Sequence, residues 1–157
     1  MPKTPHSPSP IDVLSHRFWE VNLHATRDTE HGPGDLDIQR ETAPVDGQPN
    51  RGRVLLQISL DSEPGEKPPP YTGKIIAEGA YEVLPQYPND PERLIRVTGA
   101  SMLYGAVREM VSSITARGPH GMLTLPSVSF YEEAPKKKAA KKTAKKAAKK
   151  KTAKAKR

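Results

Sequence analysis

The stretch SMLYGAVREMVSSITARGPHGMLTLPSVSF, residues Ser101 to Phe130, contains a helix, a stop and an extended apolar segment in that order. Leu103, Val107, Met110 and Ile114 recur at helical spacing and predict a core-facing stripe, while Arg108, Ser112 and Thr115 share another face. Ser101 is the candidate N-cap. Gly118 and Pro119 stop the helix, and Arg117 sits favourably at the negative end of its dipole. Beyond Gly121, the residues Leu123, Leu125, Val128 and Phe130 predict an extended apolar strip. Pro126 cannot donate to a central ladder, so the strip is expected at an edge or exposed position.

Working outward, the N-terminal half reads as strands. Val13, Trp19, Val21, Leu23 and Ala25 alternate with Phe18, Glu20, Asn22 and His24 in a long first strand, where Trp19 is expected to anchor the sheet core. After Gly32-Pro33-Gly34, residues Asp35 to Glu41 form a short second strand with Leu36 and Ile38 on one face. The clearest alternation is Val54, Leu56, Ile58 and Leu60 within Arg53–Asp61. The run SEPGEKPPP, residues 62–70, interrupts it before a fourth strand, Tyr71–Leu84, in which Ile75, Ala77, Gly79, Tyr81 and Val83 share a face. Gly79 in mid-strand marks a bulge or a close contact. Asp90 and Pro91 are placed as N-cap and first residue of a short helix through Arg93–Val97. Four strands followed by helices predict an α+β fold, a four-stranded antiparallel sheet with the main helix packed on one face.

At 157 residues the chain has room for one domain, and without cysteine it has neither a disulfide framework nor a thiolate metal site. The N-terminal MPKTPHSPSP lacks the apolar core of a signal peptide, and no segment has the apolar length of a membrane span, so a cytoplasmic protein is expected. The net charge of +7 hides a division. Thirteen of the 25 basic residues lie in Lys136–Arg157, which has no acid, leaving twelve basic against eighteen acidic residues in 1–135. The body is acidic and the tail basic, so the high isoelectric point says nothing about the folded surface. The expected organisation is a disordered segment over 1–10, a domain over 11–133 and a disordered Lys/Ala-rich tail over 134–157.

The spacing R-E-x7-R-G-x4-L-x-L-x2-V-x-F, carried by Arg108, Glu109, Arg117, Gly118, Leu123, Leu125, Val128 and Phe130, resembles the helix and following loop of the SecB export chaperones. The match covers about thirty residues without a gap. It departs from the family in three places. The proline usual just before the valine falls one place earlier, at Pro126; His120 or Gly121 stands where an aromatic is usual; and Pro135 ends any ordered element where the family continues into a second long helix.

No phosphate-binding glycine loop, His-Glu-x-x-His or nucleophile elbow is present, so neither catalysis nor a cofactor is expected. The five histidines are scattered and predict no metal site, and Asp35 and Asp37 read as a solvated strand face. What stands out is a surplus of apolar side chains. Met102, Tyr104, Val111, Met122, Leu123, Leu125, Phe130 and Tyr131 cannot all share one helix stripe, and a subunit interface or a binding groove must take some of them.

The resemblance implies an ATP-independent chaperone for protein export, holding unfolded preproteins in an apolar groove and assembled as a homotetramer. By carry-over, Tyr104, Met122, Leu123, Leu125 and Phe130 contact clients, with Trp19 and Tyr81 at the groove floor; a plain core role competes at each. The SecA motor is an implied partner, although the fourth-strand acid of that contact is replaced by Lys74, with Glu78 the nearest acid. A specialised client, as for the SecB-like proteins of toxin–antitoxin systems, is the alternative. A second function class is a nucleic-acid-associated protein in which Lys136, Lys137, Lys138, Lys141, Lys142, Lys145, Lys146, Lys149, Lys150 and Lys151 bind DNA or RNA by neutralising phosphates. A tail that solubilises the chain, or that lies on the acidic body, is the alternative to that.

Overall fold

A computed structural model describes residues 9–131 apart from Thr29 and Pro88. The expectations for the extreme N-terminus and for the Lys-rich tail therefore lie outside the described residues.

Strands β1 (Ile11–Ala25), β2 (Asp35–Val45), β3 (Gln48–Asp61) and β4 (Tyr71–Val83) form one antiparallel sheet in the order β1-β4-β3-β2. Alternation in the two central strands sends Val54, Leu56, Ile58 and Leu60 of β3, with Ile75, Ala77, Tyr81 and Val83 of β4, into the core. Their neighbours on the other face are only partly covered. β2 runs four residues past Glu41, since an edge strand tolerates Pro44 and Gly47, at φ 72°, closes the turn into β3.

Over the buried face lie α1 (Pro91–Leu94), a π-helical turn (Ile95–Gly99) and α2 (Ala100–Thr115), which join without a break. The Asp90 carboxylate accepts from the Arg93 N–H at 3.0 Å, the cap read from the sequence. Ser101 does not cap α2. Because the π turn feeds directly into the helix, its hydroxyl instead donates back to the Val97 carbonyl at 2.9 Å. Among the described residues no helix is long and apolar enough to cross a membrane.

β1 departs from simple alternation. Its register against β4 shifts between Val13 and Ser15 and again between Phe18 and Glu20, making Leu14 and Trp19 the extra residues of two β-bulges. As a result Val13, His16, Phe18 and Val21 stand opposite Tyr81, Gly79, Ala77 and Ile75 on the helix side. Trp19 is 62% exposed, so it does not anchor the core.

Tyr81 takes that central place. Its ring is fully buried in the space left by two glycines: a Cβ at Gly79 would overlap the ring, and one at Gly99 would lie 3.0 Å from it. The close contact expected at Gly79 is thus with its own strand neighbour but one. The Tyr81 hydroxyl meets His16 Nε2 at 2.9 Å. Burial pushes the phenol well above its usual range and the imidazole below its own, so both are neutral partners near neutral pH. Gly79→Ala should therefore cost about 1–3 kcal/mol of stability through overpacking, measured by urea unfolding; a loss within about 0.5 kcal/mol, as at an ordinary surface site, would contradict this packing.

Candidate functional site

Helix α2 presents three distinct faces. Leu103, Tyr104, Val107 and Val111 face the sheet and are buried, together with Thr115. This stripe is rotated from the one expected: Met110 is only partly covered and Ile114 is 46% exposed, with Val111 and Thr115 in the core instead. The rotation follows from the chain beyond the helix.

Residues 122–131 form no strand. They fold back along one flank of α2, and the helix side chains satisfy their backbone. The Arg108 guanidinium donates to the Leu125 carbonyl at 2.9 Å, the Ser112 hydroxyl to Leu123 O at 3.1 Å and the Tyr104 hydroxyl to Pro126 O at 2.8 Å. Thr115 Oγ1 donates to Val111 O and accepts from the Leu123 N–H at 2.8 Å. At the far end Arg40 of β2 donates to Phe130 O at 3.2 Å, its guanidinium 5.8 Å from the centre of the Phe130 ring. The polar face of α2 is thus a row of donors and acceptors for an extended segment. Such backbone could not be buried unpaired.

This docking decides where the sequence-predicted contact residues lie. Leu125 is 1% exposed, and Tyr104, Phe130 and Tyr81 are likewise buried. Tyr104 and Phe130 pack edge to face with centroids 5.8 Å apart. Burial raises the Tyr104 phenol, while nearby Arg108 pulls it the other way. These four hold the segment and the sheet together and are closed to solvent, the core role that competed with client contact. Leu123 is half-buried, whereas Met122 is 64% exposed at the start of the segment. Trp19 lies on β1, at the sheet edge opposite the one that the docked segment reaches. The docked segment reaches β2 through Arg40, and β1 and β2 are the two edges of the sheet.

Two apolar surfaces result. One follows the docked segment: Met122, Val128 and Tyr131 are exposed, and an open groove of about 380 Å³ runs between Ile38 and Arg40 of β2 and residues 128–131. The other lies at the β1 edge, where Val13, Leu14, Trp19 and Val21 are exposed; Ile114 is exposed separately on α2. Ile114 points away from the Arg108–Ser112 flank because each residue turns the helix by about 100°. The sequence placed Arg108, Ser112 and Thr115 on one helix face but gave that face no partner, and Arg40 was not joined to it. The signal for them is a polar helix face followed by an apolar segment just long enough to run back along it. Lys74 pairs with Glu20 across the sheet at 3.7 Å. Among the described residues, no group of three or more potential ligands is placed to hold a metal ion.

No protein-family model matches the chain, and no curated protein matches it by sequence. Its fold is SecB-like. A SecB-like chaperone of Mycobacterium tuberculosis, solved in complex with a ChAD peptide from the HigA1 antitoxin, superposes with a TM-score of 0.58 and 18% identity over 76% of this chain and 91% of that one. A protein of unknown function from Streptococcus agalactiae gives a TM-score of 0.43 and 12% identity over 74% of this chain and 96% of that one, a level at which shared topology is not established.

The two ends of the docked segment should respond differently to truncation. Leu125→Ala should cost about 2–5 kcal/mol, and Met122→Ser should stay within about 0.5 kcal/mol, both by urea unfolding. Equal effects would contradict the docking.

Proposed function

We propose that this protein is an ATP-independent chaperone that holds unfolded polypeptides against exposed apolar surface along its docked segment. The observation that carries the proposal is Met122, a large flexible apolar side chain 64% exposed on a SecB-like fold in which Leu125, three residues along the same extended segment, is fully buried. An exposed apolar patch is a liability unless something occupies it. Methionine adapts to varied partners because its side chain is unbranched and polarizable. Met122 and Leu123 are the contacting residues, and Tyr104, Leu125 and Phe130 support them from beneath.

A dedicated client such as an antitoxin segment is favoured over general preproteins. The M. tuberculosis neighbour holds an antitoxin peptide, and the SecA-facing position of this chain carries Lys74, neutralised by Glu20. The β1 edge is the second outlet for apolar surface: the exposed Trp19, Val13 and Val21 form the subunit contact of a homotetramer. Trp19 therefore serves assembly or client binding, not the core. A polyanion-binding tail is compatible with this body, because thirteen basic residues in Lys136–Arg157 can release counterions from DNA or RNA independently of the acidic domain.

Three measurements test these readings. Suppression of aggregation of an unfolded client, without nucleotide, should weaken about tenfold or more in Met122→Ser/Leu123→Ser, since each buried apolar side chain contributes about 1.5–3 kcal/mol and 1.4 kcal/mol is tenfold. Unchanged suppression by a folded, correctly assembled variant would remove this site. Sedimentation equilibrium should give a tetramer at micromolar concentration, and a monomer would contradict the assembly. Deleting Lys136–Arg157 should abolish salt-sensitive DNA binding while leaving client suppression intact; persistent DNA binding would place that activity in the domain.

A further inference from the structure

Three connecting segments meet at one end of the helix: the β1–β2 loop, the proline-rich connection between β3 and β4, and the turn after α2. The first is anchored to the second through backbone. Thr26 N–H donates to Pro70 O, and Gly32 N–H to Pro68 O, both at 3.0 Å, while the Thr26 hydroxyl donates to Pro69 O at 2.6 Å. The turn after α2 joins them through two histidines 89 residues apart. His31 Nε2 lies 3.1 Å from His120 Nδ1, with the rings at 75° and their centroids 4.3 Å apart, and His120 Nε2 lies 2.6 Å from the Thr26 carbonyl.

The chemistry of the partners assigns the protons. A carbonyl only accepts, so His120 Nε2 carries hydrogen, and Nδ1 of the neutral ring is then an acceptor. His31 Nε2 must therefore donate to it. That leaves His31 Nδ1 as a bare lone pair, and this atom is buried without a hydrogen-bond partner. A first proton can be accommodated: charged His120 then donates from Nδ1, and His31 moves its hydrogen to Nδ1 so that Nε2 accepts. A second proton sets N–H against N–H between two cations and leaves the buried His31 Nδ1–H with no acceptor.

The charged and titratable groups on the packed elements are Arg27, Asp28 and Glu30 of the first loop, Glu63, Glu66 and Lys67 of the proline-rich connection, Tyr71 of β4 and Arg117 beyond α2. Glu30 is engaged by Lys67, and the Tyr71 hydroxyl donates to Gly121 O at 2.8 Å and accepts from the His120 N–H at 3.3 Å. None of the carboxylates among them bonds either imidazole.

We propose that the His31–His120 pair is a pH-operated clasp that holds the turn after α2 onto the β1–β2 loop while at least one ring is neutral and releases it when both are charged. Release frees the turn leading into Met122. Opening of the loops stands on the histidine geometry alone; any effect on clients rests additionally on the chaperone reading.

The test is a two-dimensional amide NMR titration of the full-length protein between about pH 8 and about pH 5, the range in which histidine changes charge, with hydrogen exchange corrected for its intrinsic pH dependence. Amides of 26–34 and 118–123 should shift together, and protection in 118–123 should fall roughly tenfold, the equivalent of one lost hydrogen bond of about 1.4 kcal/mol. His31→Ala should be open across the range and show no concerted response. His31→Gln should stay closed across it, because an amide can rotate to donate to neutral His120 or accept from its charged form. A concerted transition that survives in His31→Ala, a His31→Gln variant that opens with acid like the parent, or loops that do not respond would each overturn the clasp.

Discussion

The structure depends on an extended backbone that is buried without belonging to a sheet. Residues 122–131 lie against α2, and their polar groups require partners as strictly as those of a strand do. Arg108, Ser112, Thr115 and Tyr104 provide them, replacing the regular ladder of a neighbouring strand with four side chains of different reach. Leu125 and Phe130 can then enter the core without a fifth strand. The rotation of α2, with Val111 inward and Ile114 outward, is the other half of the same solution.

Docking one flank of the helix leaves the other open, so apolar surface persists at both margins of the helical layer. At the β2 margin it is the exposed Val128 and Tyr131, beside a groove that Arg40 and Ser129 also line; at the β1 margin it is the bulged strand carrying Trp19. Bulges make an edge poor at extending its ladder, which favours side-chain contact over strand pairing as the means of association there. The acidic excess of residues 1–135 suits segments that are both apolar and basic.

The central strands were legible because period-two alternation survives wherever one face is buried, as in Val54–Leu60 and Ile75–Val83. The Asp90 cap and the Gly118-Pro119 stop were legible because they are local chemistry. β1 was misread between Leu14 and Trp19, because one inserted residue reverses the faces and the second restores them for Val21, Leu23 and Ala25, and nothing in the sequence around Leu14 or Trp19 marks an insertion. The expected Leu103–Ile114 stripe failed for a different reason. Val111 and Met110 are both apolar, and which one faces the sheet is settled by the partner of Arg108 and Ser112 on the neighbouring flank. Of the candidate site, the segment itself was found, but its inward and outward side chains could not be separated by hydropathy alone. The His31–His120 contact, with 89 residues between its partners, has no local signature at all.

If the outward end of the docked segment receives clients, a photoreactive amino acid at position 122 should crosslink to an unfolded polypeptide, and one at the exposed His24, on the opposite face of the sheet, should not. The account predicts crosslinking from position 122 that an excess of unlabelled client abolishes. Crosslinking from position 24 with none from position 122, in protein of unchanged fold and assembly, would contradict it.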